Sequence, residues 1–171
     1  MSWRSEMIEG GNLFVVSLGC AKNTVDTEVM LSKLLKRFDL QLTIEPENAD
    51  IILINTCSFI LDAQEESVQA ILEMADYRQE VGGNCKALVV AGCLSQRYFD
   101  VLESEVPEVD LWVGIGEYFN VDKVMANFLA TQKQHKICAP CGIHTEKDER
   151  FALTPTHRGW LKISEGCDRF C

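Results

Sequence analysis

Apolar residues in this chain occur in two alternating patterns. Short continuous runs predict buried strands, and longer stretches with apolar residues at i, i+3, i+4 and i+7 predict amphipathic helices. The predicted strands cover residues 13–18, 40–44, 51–55, 87–91 and 111–113. The predicted helices cover residues 25–38, 62–77, 96–106 and 121–128. Because strands alternate with helices, the pattern predicts an α/β fold, with an open, mostly parallel sheet flanked by helices in the Rossmann or flavodoxin-like manner.

The pattern changes after the last predicted helix. Residues 131–156 are polar, show no sustained stripe and contain Pro140, Gly142 and Pro155, so we interpret them as a linker. A new apolar run at 159–163 predicts a further strand. We therefore expect one domain over residues 12–130, a linker over 131–156, and the beginning of a second, truncated domain over 157–171.

Composition and charge exclude several classes of protein. The 171 residues hold 16 Lys and Arg against 26 Asp and Glu, a net charge of −10 without a basic patch. This balance argues against direct nucleic-acid binding and suits a basic protein partner. The longest uncharged apolar run, residues 87–94, is far shorter than the roughly 20 residues that span a bilayer. Residues 1–12 lack the apolar core of a signal peptide, so we expect a cytoplasmic protein without a membrane partner.

Three cysteines share one setting, since Cys20, Cys57 and Cys93 each follow a predicted strand and precede a helix. The carboxyl ends of parallel strands meet at one edge of a sheet, where ligands bind. Thiolates are soft ligands that suit zinc, copper or iron–sulfur clusters. Three of them would leave one iron of a four-iron cluster without a protein ligand. The alternative is that all three are small buried apolar residues.

The other cysteines give weaker signals. Cys167 and Cys171 form a C-x3-C pair after the last apolar run and Glu165-Gly166. Cys138 and Cys141 form a C-x2-C pair, which could be a redox pair, half of a zinc site or two incidental thiols. Cys85 receives no role. Phosphate-binding glycine loops are absent, and no histidine partners the serines near the strand ends, which argues against a hydrolase triad.

The segments around the cysteines resemble the methylthiotransferase family of radical S-adenosylmethionine enzymes. The stretches that carry the resemblance are SLGCAKN at 17–23 with Val25, Asp26 and Glu28 after it, NTCSFI at 55–60, GCLSQRY at 92–98 and LTPTH at 153–157, followed by LKISEGCD at 161–168. They are similar to the RimO branch, which modifies a ribosomal protein, rather than to the tRNA-modifying branch. The C-x3-C pair resembles the opening of the radical S-adenosylmethionine motif C-x3-C-x2-C, whose third cysteine would follow Cys171.

The resemblance implies two four-iron four-sulfur clusters in the full-length protein. Cys20, Cys57 and Cys93 would bind an auxiliary cluster that carries the sulfur to be donated. Cys167 and Cys171 would bind the cluster that cleaves S-adenosylmethionine, which a further barrel domain would mainly hold. The implied reaction adds a methylthio group to the β-carbon of an aspartate in a small-subunit ribosomal protein of the decoding centre, with an electron donor such as flavodoxin.

Alternative functions remain open at this point. They are a tRNA adenosine methylthiotransferase, a non-catalytic metal-binding or redox α/β module, and a flavodoxin-like nucleotide binder. We also expect that this chain alone does not cleave S-adenosylmethionine, because its radical motif is incomplete.

Overall fold

Parallel strands with helices on both faces build the molecule. The computed structural model describes residues 8, 10–131, 135–138, 145 and 148–164. The strands are β1 (Asn12–Ser17), β2 (Gln41–Leu42), β3 (Ile51–Thr56), β4 (Ala87–Gly92), β5 (Leu111–Val113) and β6 (His135–Lys136). The α-helices are α1 (Ala21–Phe38), α2 (Leu61–Ala75), α3 (Cys93–Glu105) and α4 (Val121–Thr131). Short 3-10 helices cover Pro46–Asn48, Gln79–Val81 and Ile115–Asn120.

In the described residues the sheet has the order β2-β1-β3-β4-β5-β6, with every neighbouring pair parallel. The chain passes from β1 outward to β2, then returns to the other side of β1 and continues from β3 to β6. The direction of winding therefore reverses between β1 and β3. At such a switch point the loops at the carboxyl ends of the strands diverge and leave a crevice.

Two cores lie on opposite faces of the sheet. Leu53 and Val89 belong to the core formed with α1 and α4, whereas Ile54 and Val90 belong to the core formed with α2 and α3. All residues of β3 and β4 are buried. Continuous apolar runs are what strands covered on both faces require. The predicted α/β fold with a parallel sheet is confirmed.

The helices differ from the predicted ones mainly at their first turns. α1 begins at Ala21 rather than at residue 25, and α3 begins at Cys93 rather than at 96. The first turns of α1 bury polar residues, among them Asn23, Asp26 and Thr27. An apolar stripe cannot reveal such turns, because their inward-facing side chains form hydrogen bonds instead of an apolar contact.

Two described stretches after α4 contact the rest of the fold. Residues 135–136 add β6 beside β5, and residues 148–151 contact α1. Residues 159–163, where the sequence predicts a strand, pair with no strand in the described part of the chain. The division into domain, linker and second domain stays a prediction. None of the helices in the described ranges is long and apolar enough to cross a membrane.

Candidate metal centre

The three strand-end cysteines line one cavity. Cys20 follows β1, Cys57 follows β3 and Cys93 follows β4, and these strands are neighbours in the sheet. Together with side chains from α1 and α2, the three residues line a cavity of about 960 Å³. The topology thus brings thiols 37 and 36 residues apart (57 − 20 and 93 − 57) to the same edge of the sheet.

The three thiols differ in their access to solvent. Cys20 is exposed at the N-cap of α1, Cys57 is only 7% exposed, and Cys93 is partly exposed at the first residue of α3. Burial raises the pKa of Cys93, and the nearby Cys57 and Cys20 raise that pKa further. A cation bound between the sulfurs would counter both effects, because it favours the thiolate form.

Two glycines allow the backbone to pass close to the cysteines. Gly19 has φ +86°, and a Cβ atom built there would lie 2.6 Å from Cys57 Cβ and 2.9 Å from Cys57 Sγ. Gly92 has φ +112°, and its Cβ would lie 2.4 Å from Thr56 O. Both positions combine a left-handed backbone with space for a hydrogen only. The glycines that precede Cys20 and Cys93 are thus required by the local geometry.

A network of buried polar side chains holds the loops that follow β1 and β3. The Asn23 side chain donates to Leu18 O and Thr56 O, both at 3.0 Å, and so ties the residues before Gly19 and Cys57 together. Asn55 donates to Asn23 O at 3.0 Å and to Thr27 Oγ1 at 2.9 Å, and Tyr118 Oη donates to Asn55 Oδ1 at 3.2 Å. Buried polar groups with satisfied hydrogen bonds specify one arrangement.

Ser67 on α2 holds the backbone of Cys57. Its Oγ accepts a hydrogen bond from Cys57 N at 3.0 Å and shares its single proton between two nearby carbonyl oxygens, Ala63 O at 2.7 Å and Cys57 O at 2.9 Å. Cys57 is therefore held at its amide by a buried side chain. This fixes the direction in which its thiol leaves the chain.

The chemistry of the donor set fits an iron–sulfur cluster, because such clusters are held by cysteine thiolates. Each cysteine binds a different iron, so the ligands of a cluster surround a space, and the three thiols here line one cavity. Among the described residues, no group of three or more His, Cys, Asp or Glu side chains is placed to hold a single metal ion. Their role as ligands stays a prediction.

Of the other cysteines that the structure describes, Cys85 and Cys138 do not line this cavity. Cys141, Cys167 and Cys171 lie outside the described residues, and Cys138 follows β6 as a partly exposed thiol. Cys85 is buried against the second core, where desolvation raises its pKa from an ordinary 9.0 to about 11. Cys85 therefore packs in this core and does not line the cavity of the three strand-end cysteines.

Comparison with known proteins identifies the fold that carries this cavity. Residues 12–114, which run from β1 to just past β5, match the model of a family described as "Uncharacterized protein family UPF0004". The chain belongs to the UPF0004 family. The matched range contains Cys20, Cys57 and Cys93, so all three strand-end cysteines fall within the family domain.

Curated relatives of this UPF0004 chain carry a functional name. It is 43% identical over 168 residues to "Ribosomal protein uS12 methylthiotransferase RimO" of Heliobacterium modesticaldum, covering 98% of this chain and 36% of that protein. Proteins of the same name from Trichlorobacter lovleyi and Bdellovibrio bacteriovorus are 47% and 42% identical, over 92% and 98% of this chain and 34% and 36% of theirs. The chain thus spans about a third of the length of these relatives.

Sequence reasoning assigned no role to the residues that support the cavity. Asn23, Asn55 and Ser67 lie within or beside the segments that carry the family resemblance, yet periodicity gives them no function. One signal was available for Asn55, because an amide in a fully buried strand requires hydrogen-bond partners. Asp26 and Glu28 belong to the pattern that carries the family resemblance, but the pattern gives neither residue a role.

Proposed function

We propose that this UPF0004 chain is the N-terminal region of a radical S-adenosylmethionine methylthiotransferase. The enzyme would add a methylthio group to the β-carbon of an aspartate in a small-subunit ribosomal protein. The observation that carries the proposal is the cavity lined by three thiols from three adjacent strand ends. The name of the relatives, uS12 methylthiotransferase, supports a ribosomal protein over a tRNA as the substrate.

Cys20, Cys57 and Cys93 would hold a four-iron four-sulfur cluster in this cavity. Such a cluster, when bound, supplies the sulfur that the reaction transfers, and three ligands leave one iron open for that purpose. The chain itself fixes the geometry of the ligands. Asn23 and Ser67 hold the backbone around Cys57, and Gly19 and Gly92 bring the neighbouring loops close.

Cys167 and Cys171 would bind a second cluster together with a cysteine beyond Cys171, and S-adenosylmethionine would be held mainly by a following domain. An electron donor such as flavodoxin would reduce that cluster. Because the radical motif within this chain has two of its three cysteines, we expect the chain alone to be inactive towards S-adenosylmethionine. The role of the protein would be to hold the two clusters at the right separation, since the cofactors carry the chemistry.

The electrostatics of α2 support a basic protein substrate. The helix carries Asp62, Glu65, Glu66 and Glu73 and has no Lys or Arg between Leu61 and Ala75. Asp62 and Glu66 also line the cysteine cavity. Phe59, which is 88% exposed, and Ile60 add apolar surface at the same rim. A rim that is both acidic and apolar suits a basic polypeptide with apolar side chains.

Anaerobic reconstitution with iron and sulfide tests the cluster. We expect about four irons and four sulfides per chain with the absorption of a cubane cluster, and their loss in a Cys57→Ala variant. A Cys85→Ala variant is the matched control, because it removes a buried thiol remote from the cavity, and it should load like the parent. Full loading of Cys57→Ala would contradict the proposal. Zinc bound through Cys138 and Cys141 instead of iron would favour a non-catalytic metal-binding module.

A further inference from the structure

Two buried carboxylates lie on the helix that begins at the first cysteine. The side chains of Asp26 and Glu28 are 5% and 1% exposed, and both bind cations from residues 150–162. A buried charge is costly unless it is paired and hydrogen-bonded. These two acidic residues therefore require the late segment of the chain to lie against α1.

Glu28 binds the start of that segment through charge and backbone together. Arg150 donates from both Nε and Nη2 to Glu28 Oε2, with 3.0 Å for the Nε contact. Leu153 N donates to Glu28 Oε1 at 2.9 Å, and Phe151 N donates to the backbone Glu28 O at 3.0 Å. Because the main-chain amides of Phe151 and Leu153 both donate to Glu28, these bonds determine the path of residues 150–153 as well as their distance from α1.

Asp26 binds the end of the same segment. Lys162 Nζ lies 2.6 Å from Asp26 Oδ1, and the Lys162 side chain is 1% exposed. Arg150 Nη1 also donates to Trp160 O at 2.9 Å, which joins the two ends. Residues 150–162 thus form a loop closed on itself and anchored at both ends to one helix.

We infer that Asp26 and Glu28 are positioning residues that clamp the segment 150–162 beside the cysteine cavity. Asp26 itself lines that cavity. Cys167 follows Lys162 by five residues, and five residues of extended chain reach at most about 18 Å. The clamp would therefore limit how far the two groups of cysteines can separate. This functional meaning rests on the proposed function, whereas the clamp itself does not.

Amide hydrogen exchange measured by NMR on the metal-free chain tests the clamp directly. In an Arg150→Gln variant, the Leu153 and Phe151 amides should exchange at least about tenfold faster, because a charge-assisted anchor is lost. The amides of β3 and β4 should keep their protection. The matched control is Glu149→Gln, which removes the exposed ion pair of the neighbouring residue with Lys36, and it should change neither set.

Further variants separate a clamp from a general loss of stability. Arg150→Lys keeps the charge without the forked contact and should restore part of the protection. The double variant Glu28→Gln/Arg150→Gln leaves no buried unpaired charge and should still release Leu153. Unchanged exchange of Leu153 in Arg150→Gln and in the double variant would overturn the inference.

Iron content distinguishes this inference from the proposed function. Reconstituted Arg150→Gln should bind as much iron as the parent, because Arg150 positions a segment and binds no metal. Failure of the parent to bind iron would contradict the proposed function while leaving the exchange result intact. Normal iron binding with unaltered exchange in the variants would contradict the clamp alone.

Discussion

At the scale of single residues, the cavity depends on two glycines, which have no Cβ atom. Gly19 and Gly92 have positive φ angles, and each faces backbone or Cys57 atoms closer than 3 Å to where a Cβ would stand. Neither glycine contributes a ligand or a hydrogen-bonding side chain. Their effect is to let three loops approach one another, which a larger residue would prevent.

Gly92→Ala should lower the free energy of unfolding by about 3 kcal/mol or more. The new methyl group would combine left-handed backbone strain with overlap against Thr56 O, which is part of the rigid sheet. Denaturant unfolding followed by circular dichroism measures the change.

Two other glycines serve as graded controls. Gly82 has φ +96°, and no heavy atom of the described residues lies within 4 Å of where its Cβ would stand, so Gly82→Ala should cost only the backbone strain, about 1 kcal/mol. Gly159→Ala meets open space without a positive φ and should stay within about 0.5 kcal/mol of the parent. Equal losses of unfolding free energy in Gly92→Ala and Gly82→Ala would show that the overlap with Thr56 O does not contribute to the destabilisation.

Cys85 gives a prediction about pH. Burial raises its pKa to about 11, so the folded state keeps the thiol proton to a higher pH than the unfolded chain, in which the ordinary value is 9.0. The resulting stability is fully present below pH 9 and is lost as pH rises to about 11. Two pH units correspond to a loss of about 2–3 kcal/mol at most.

The measurement compares the parent with Cys85→Ala at each pH from 8 to 11. Both proteins share every other titrating group, so only the difference in their unfolding free energies reports on Cys85. That difference should shift in favour of the alanine variant between about pH 9 and 11. A difference that stays constant over this range would contradict the assigned burial effect.

At the scale of elements, the loop after β3 is held by the helix that follows it. Ser67→Ala should cost about 1–3 kcal/mol, because Cys57 N loses its acceptor in a buried position. It should also lower the protection of the Cys57 amide in hydrogen exchange. Ser104→Ala is the control, since Ser104 is exposed on α3 and bonds only within its helix, to Val101 O. A similar loss in both variants would contradict a special role for Ser67.

The elements also show what a sequence can and cannot reveal. The central strands β3 and β4 were predictable, because complete burial leaves a continuous apolar run. The first turns of α1 and α3 were not, since Asn23 and Ser95 face inward as hydrogen-bonding residues and interrupt the stripe. The edge shared by the three cysteines was predictable because topology alone determines it, whereas the hydrogen bonds that orient Cys57 come from tertiary contacts.

At the scale of the whole molecule, charge is unevenly distributed around the cavity. Replacing Glu65 and Glu66 on α2 by lysine should weaken binding of purified uS12 at least about tenfold at low salt, and the difference should shrink as salt rises. Isothermal titration calorimetry at two salt concentrations measures both effects.

The matched control changes the same charge at the opposite edge of the sheet. Glu45 and Glu47 are exposed in the loop that precedes β3, so Glu45→Lys/Glu47→Lys alters the net charge equally but far from the strand ends that carry the cysteines. This control should bind uS12 nearly as the parent does. Equal weakening by both double variants would show that total charge, rather than the α2 surface, governs the encounter.

The contacts between distant parts of the chain were beyond sequence reasoning. Asp26 and Glu28 lie in the resemblance pattern without an assigned role, residues 131–156 are polar like a linker, and residues 159–163 predict a strand of a further domain. Glu28 and Arg150 are 122 positions apart in the sequence, and Asp26 and Lys162 are 136 positions apart. Only the folded structure therefore shows that these residues contact each other. Ion pairs of this range leave no periodic trace, because each partner is a single position.

The adjacency of β1, β3 and β4 has a consequence for how the protein would mature. In an unfolded chain the three thiols are separated by whole βα units, and only a completed sheet gathers them. Inorganic assembly at this site would therefore have to follow folding instead of nucleating it, the reverse of a zinc finger. The proteins that deliver iron and sulfide would meet an apoprotein that is already folded. The exposed Cys20 would be the first thiol within their reach.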